Sequence, residues 1–306
     1  MSVLSTREDA RPLAAFRVAV GLCVCLSIGS VIGAELVGPL WTHADHGGIQ
    51  AVPGTALAQL LGGPTPAVMH TLAWLAMLGG VALVAGIGGR VTALFTLQVF
   101  LACVDTNGAA RGGYDLLLAN ALWLLVLGGG TATWSTDARL RTGHWSDPSA
   151  TAGAWVRWLV LFQLLLMYWT TGLQKLSIHW IPGGDLGALY WILQQPTWQR
   201  FDMAWVGPLF PLTQVATLVT WLWEISMPLW AWALIRRERG QEGQLERLRL
   251  VEIYTVVGIG LHLVITVLLE VGPFSWVSLA YYTALWPALR GRRDVARGRE
   301  PARGAS

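Results

Sequence analysis

The sequence predicts an all-α fold, a polytopic transmembrane helix bundle of about eight spans with interfacial or re-entrant segments on its outer face. Three observations lead there. The chain of 306 residues is 54% hydrophobic and only 13% charged, too apolar to hide its surface inside one water-soluble core. Its apolar residues fall in runs of roughly 20, the length needed to cross a ~30 Å hydrocarbon layer. Its 18 tryptophans include Trp41, Trp134, Trp145, Trp155, Trp180, Trp205 and Trp286 near the ends of such runs, where indole rings favour the headgroup boundary.

Along the chain, residues 13–36, 66–87, 155–174, 212–235 and 250–269 are long and apolar enough to span, and 273–289 is marginal. Residues 91–104 and 116–127 are shorter, and read either as complete spans with polar ends or as a pair of buried, partly inserted helices. The first run is too long for a cleavable signal, so it reads as a retained anchor. The expected organisation is a tail at 1–12, one membrane domain at 13–289 and an arginine-rich tail at 290–306.

Eight spans with a cytoplasmic amino terminus place Arg7, Arg11, Arg90, Arg139, Arg141, the arginines of 236–249 and the tail on the inside. Only Arg111, Lys175 and Arg200 then lie outside. That asymmetry obeys the positive-inside rule, so both termini are expected in the cytoplasm, at the cell membrane if the chain is bacterial. A net charge of +3 suggests no nucleic-acid partner. Membrane lipids are the expected surroundings, and no feature identifies a protein partner. Cys23, Cys25 and Cys103 lie in apolar runs and read as small core residues.

Polar groups inside spans are expensive and so informative. Arg17, one turn into the first helix, is placed so that it could snorkel to the cytoplasmic headgroups, the simpler of its two readings. Glu224, in "TWLWEISMPLW", sits mid-span and requires a partner in the bundle or a protonated carboxyl. His262, deep in "GIGLHLVITVLLEVGPF", reads either as a hydrogen-bonded core residue or as a participant in chemistry. In "DTNGAARGGYDLLLAN", Gly108, Gly112 and Gly113 make a compact turn that gathers Asn107, Arg111 and Asp115. An Arg111 to Asp115 pair at i, i+4 is the simplest expectation there. His43, Asp45 and His46 have the His-x-x-His spacing but no matching second pair, and no metal is expected.

"MYWTTGLQKLSIHW" contains Lys175, the only lysine among 21 basic residues. A guanidinium stays charged in any protein site, whereas an amine in a dry pocket can shed its proton and act as a base. On a helix turning about 100° per residue, Tyr168, Gly172 and Lys175 share one face, with His179 a further turn on. Gly172 permits a close approach. Pro182, Gly183 and Gly184 then end the helix, and "DLGALYWILQQPTW" reads as an amphipathic interfacial segment.

"YWTTGLQKLSIHWIPG" resembles the tyrosine, glycine, lysine-leucine and tryptophan pattern of the HTTM (horizontally transferred transmembrane) family, which includes the vitamin K-dependent γ-glutamyl carboxylase. The resemblance extends through "ARPLAAFRVAVGL", "NGAARGGYDLLL", "WSTDARL", "EISMPLW" and "LHLVITVLLEVGPFSW". It implies Lys175 as the base that deprotonates a reduced quinone of vitamin K or menaquinol type. Glu224 and His262 join it as candidate catalytic residues. Tyr168, Gly172, His179, Trp180, Asn107, Arg111 and Asp115 become candidates for binding substrate or cofactor. Two departures stand out. Asn107 is followed by Gly108 where the carboxylase has histidine, and the carboxylase's large lumenal domain has no counterpart here, so recognition of a glutamate-bearing protein is not expected.

Two classes of function remain open. One is a carboxylase-like, quinol-dependent enzyme with its site on the outer face. The other is a non-enzymatic binding or partner subunit, in which Lys175 merely pairs with a carboxylate such as Asp115 or Asp185. Transport is a third, weaker reading, because no internal repeat is evident.

Overall fold

The computed structural model describes residues 6–241 and 243–290, and the residues fall into two compact units. Most of the carboxy-terminal arginine-rich tail, 291–306, lies outside the described residues.

The first unit holds the chain up to Val160 together with Gly272–Thr283. Its elements are β1 (Arg7–Asp9), α1 (Arg11–Gly33), α2 (Val37–Trp41), α3 (Ala56–Leu60), α4 (Pro66–Ala85), α5 (Gly89–Val104), α6 (Gly113–Gly128), α7 (Thr136–Thr142), β2 (Thr151–Gly153) and the start of α8 (Ala154–Gln174). Proline near the starts of α1 and α4 fits positions whose N–H groups lack helical partners anyway. Thr65 caps α4 by accepting from the Val68 N–H, and Gly86 closes it in the left-handed conformation at φ 71°. β1 and β2 pair antiparallel just before α1 and α8.

α1 and α4 meet through glycine. A Cβ on Gly21 would stand 2.8 Å from the Gly80 carbonyl oxygen, and one on Gly80 would stand 2.8 Å from Cys25 Sγ. In hydrocarbon no hydrophobic force draws helices together, so such close backbone approach supplies the association. All three cysteines are free.

Arg17 does not snorkel. It is 1% exposed, and its guanidinium donates to the carbonyls of Gly130 (3.0 Å), Leu83, Val84 (3.1 Å) and Trp134 (2.5 Å). Carbonyls at the end of α4 and in the turn after α6, where the helical ladder runs out, have lone pairs that a buried guanidinium can engage; the Leu83 carbonyl is shared with the Gly86 N–H. The sequence shows the arginine but not these distant carbonyls.

The second unit holds Leu161–Val271 and the chain from Ala284. It contains the rest of α8, then α9 (Ala188–Leu193), α10 (Phe210–Ile225), α11 (Met227–Glu238), α12 (Gln244–Arg247), α13 (Leu250–Leu268) and α15 (Trp286–Arg290), while α14 (Phe274–Tyr281) belongs to the first unit. The run 212–235 is not one straight span. It breaks between Ile225 and Met227 with a bend of 53°, because Pro228 lacks an N–H for the Glu224 carbonyl and its ring would collide there. The marginal run 273–289 is likewise divided, into α14, a 3₁₀ turn at Tyr282–Leu285 and α15.

The fold is therefore all-helical and polytopic as expected, with almost no strand. Among the described residues four helices, α1, α4, α8 and α13, are long and apolar enough to cross a membrane, and the bent pair of α10 and α11 raises this to five. Length and composition alone do not reach eight, since α5 and α6 have 16 residues each.

Candidate functional site

The end of α8 carries Tyr168 and Gly172, and Lys175 follows directly. All three address α10 or α13 within the second unit. At Gly172 a Cβ would come within 2.7 Å of Glu224 Cβ and 3.0 Å of the Ile225 nitrogen, so glycine is what permits the approach. Beyond it, Lys175 Nζ donates to both Glu224 carboxylate oxygens at 2.5 Å. The side chains are 17% and 5% exposed. Glu224 thus has the bundle partner its mid-span position requires. The partner is neither Asp115 nor Asp185 on the lysine side, as the sequence had suggested.

Burial draws the Lys175 amine below the ordinary lysine range, outweighing the opposing pull of Glu224. Trp180 lies over it, with Nζ 4.3 Å from the ring centroid, an arrangement that favours the cationic form. The two surroundings act in opposite senses on one removable proton.

One turn back along α8, the Tyr168 hydroxyl lies 2.6 Å from His262 Nε2 on α13. Both residues are buried, His262 to 1% exposure. Trp223, next to Glu224, packs edge-on against Tyr168 at 4.5 Å between centroids. Its indole N–H donates to the Tyr254 carbonyl at 3.2 Å, and the Tyr254 hydroxyl lies 2.6 Å from Ser226 Oγ at the helix break. Trp223, Tyr254 and Ser226 escaped the sequence reading. The signal for two of them was adjacency to Glu224 in "WLWEISMP".

The shared face of Tyr168, Gly172 and Lys175 is realised, but His179 does not extend it. α8 ends at Gln174, before the proline expected to stop it, and His179 turns away to place Nδ1 at 2.7 and 2.8 Å from the Asp185 carboxylate. The Gly187 N–H and His179 hold the Asp185 carboxyl below the usual range. A cleft of about 390 Å³ opens beside them, lined by Ser177, His179, Trp180, Ala188, Trp191 and Ile192. The expected amphipathic segment contributes α9, six residues long, to its wall.

Asn107, Arg111 and Asp115 serve the first unit's turn between α5 and α6. Asn107 donates to the Leu40 carbonyl at 2.9 Å and accepts from the Ala109 N–H. Arg111 pairs with Asp105 at 2.9 Å rather than with Asp115. Asp115 instead accepts from the Gly112 N–H at 2.8 Å, capping α6 from its third position, where a carboxylate also suits the helix dipole. His43 Nδ1 accepts from the Asp45 N–H at 3.2 Å and closes a short local turn.

The sequence model of the HTTM domain matches residues 6–237 of the chain, which include both α8 and α10 entire. No curated protein matches it, and no solved structure matches it.

Proposed function

The chain belongs to the HTTM domain family and is a multi-pass integral membrane protein, and we propose that it is a carboxylase-like, quinol-dependent enzyme in which Lys175 takes up the proton of a reduced quinone. The observation that carries this reading is the buried Lys175 to Glu224 pair beneath Trp180. An ammonium facing a carboxylate and an amine facing a carboxylic acid hold the same number of protons. Either form can accept one more, with the substrate O–H bond breaking and an N–H or O–H bond forming on the pair.

The cleft beside Trp180 supports a flat aromatic ligand. Two indoles, Trp180 and Trp191, offer stacking faces, while Ser177 and His179 offer polar contacts. When bound, a reduced quinone of vitamin K or menaquinol type would supply the acidic hydroxyl and the electrons, passed to dioxygen, that drive modification of a second substrate. The chain's own residues would stack the ring, exclude water and hold the proton at Nζ or the carboxylate. The arginine asymmetry supports placing this end of α8 on the non-cytoplasmic side, with both termini inside.

The test uses the full-length chain in nanodiscs with menaquinol or reduced vitamin K under oxygen, following quinol consumption. Wild type is expected to consume quinol, and Lys175→Arg, folded by circular dichroism, is expected to fall to background. Wild-type consumption by Lys175→Arg would remove the mechanism. One observation favours the partner-subunit reading: both carboxylate oxygens already engage the amine, as in a clamp between helices. That reading predicts a mild effect of Lys175→Arg and no quinol response.

A further inference from the structure

The first unit contains a second cleft, of about 430 Å³, lined by Arg7, Arg90 and Arg141 and floored by residues 128–132 and 151–153. It lies where α1 and α5 begin and α6 ends, so it sits at one mouth of the helical layer rather than within it. No carboxylate forms an ion pair with any of these three arginines among the described residues. Asp147 is the acidic group within electrostatic reach of Arg141.

Two of the arginines are held in place by neutral groups. Arg7 donates from Nε to Thr151 Oγ1 and from Nη2 to the Thr151 carbonyl, both at 2.8 Å. Arg141 donates to the Ala132 carbonyl at 3.1 Å. The Arg90 side chain makes no hydrogen bond or ion pair among the described residues.

The floor repeats the pattern. The Gly130 carbonyl accepts from Arg17, the Thr131 carbonyl from Ser135 Oγ, and the Ala132 carbonyl from Arg141. The N–H groups of the same three residues meet no acceptor among the described residues. Gly129 and Gly130, at φ 83° and 120°, give the backbone a turn that only glycine adopts without strain. Acceptors are consumed and donors are left over, beside three guanidinium groups that no carboxylate pairs directly; the nearby acids are Asp147, within reach of Arg141, and Asp137, held by the Gly88 N–H at the Gly89 edge of the cleft. That is the electrostatic signature of an anion site.

We propose that this cleft binds a phosphate-bearing group, the headgroup of an anionic lipid being the source that its position at the mouth of the helical layer favours. Basic pockets between membrane helices recognise such headgroups. The site is independent of Lys175 and of the reading built on it.

The experiment incorporates the full-length chain into phosphatidylcholine nanodiscs containing a titrated fraction of phosphatidic acid. Co-purified lipid is read by native mass spectrometry, with inorganic phosphate added in a parallel arm. Wild type is expected to retain phosphatidic acid over phosphatidylcholine, and Arg90→Gln to weaken this several-fold. Arg7→Gln/Arg90→Gln/Arg141→Gln should weaken it by at least about tenfold. Arg90 is the decisive position, because its guanidinium makes no hydrogen bond or ion pair among the described residues that the substitution could disturb. Displacement by millimolar inorganic phosphate would identify a free phosphate compound as sufficient; retention unaffected by it would identify the lipid. The proposal is overturned if wild type shows no preference, or if Arg239→Gln/Arg247→Gln/Arg249→Gln, three exposed arginines elsewhere, reduces retention equally.

Discussion

Gly172 and Glu224 touch backbone to side chain: the space a methyl group would take on Gly172 is already filled by the Glu224 Cβ, 2.7 Å away. Gly172→Ala therefore has to push α8 off α10 by several tenths of an ångström, and the displacement falls on the Lys175 contact one turn later. We expect a loss of about 1–3 kcal/mol in stability, the usual cost of overpacking. Thermal unfolding in detergent checks it, and an unchanged midpoint would show that the helices are free to part there.

Removing one partner of the buried pair should cost more than removing both. Lys175→Met leaves a carboxylate with no counter-charge at a site 5% exposed, a loss of about 3–5 kcal/mol, whereas Lys175→Met/Glu224→Leu should recover much of it. The double-mutant cycle measures the coupling. A strictly additive result would mean that the two groups do not interact energetically.

The amine itself offers a titration. Its proton affinity is lowered by burial and partly restored by Glu224, so amine-selective labelling should report a value below the ordinary ~10.4, and Glu224→Gln should lower it further. Between the folded and unfolded values the unfolded chain binds more protons. This group's contribution to stability therefore rises with pH across that window. A value moving upward in Glu224→Gln would contradict the assigned pairing.

Tyr168→Phe deletes the hydroxyl facing His262 at 2.6 Å and with it that buried hydrogen bond, an expected loss of about 1–3 kcal/mol. His262→Phe on the same background should add little beyond its own packing change. Comparing chemical denaturation of the single and double variants tests whether the two residues act as one unit.

Hydropathy read the helices well because the bilayer imposes length and apolarity on any segment that crosses it. The same run concealed the bend after Glu224, where Pro228 was the visible warning. Contacts within one helix were also legible. Tyr168, Gly172 and Lys175 share a face because positions i, i+4 and i+7 fall on one side of a helix over two turns. What escaped was set by distant chain. Arg111 had an acidic residue four positions ahead, yet Asp105 took it and Asp115 went to the α6 cap. Glu224 demanded a partner, but nothing local names a lysine 49 residues away. His179 looked helical until the chain turned after Gln174 and gave it Asp185.

Arg17 carries a consequence for how the protein is made. It sits in α1, which is synthesised before every group that solvates it, for those carbonyls belong to residues 66 to 117 positions downstream. An arginine in hydrocarbon without such partners is costly. α1 alone consequently lacks its resting place in the lipid: it has to wait, tilted toward an interface or sheltered by insertion machinery, until synthesis has passed Trp134. The charge makes the seating of α1 conditional on the arrival of α4 and of the turn beyond α6. A nascent chain truncated before Trp134 should leave α1 extractable, and one extended past it should not.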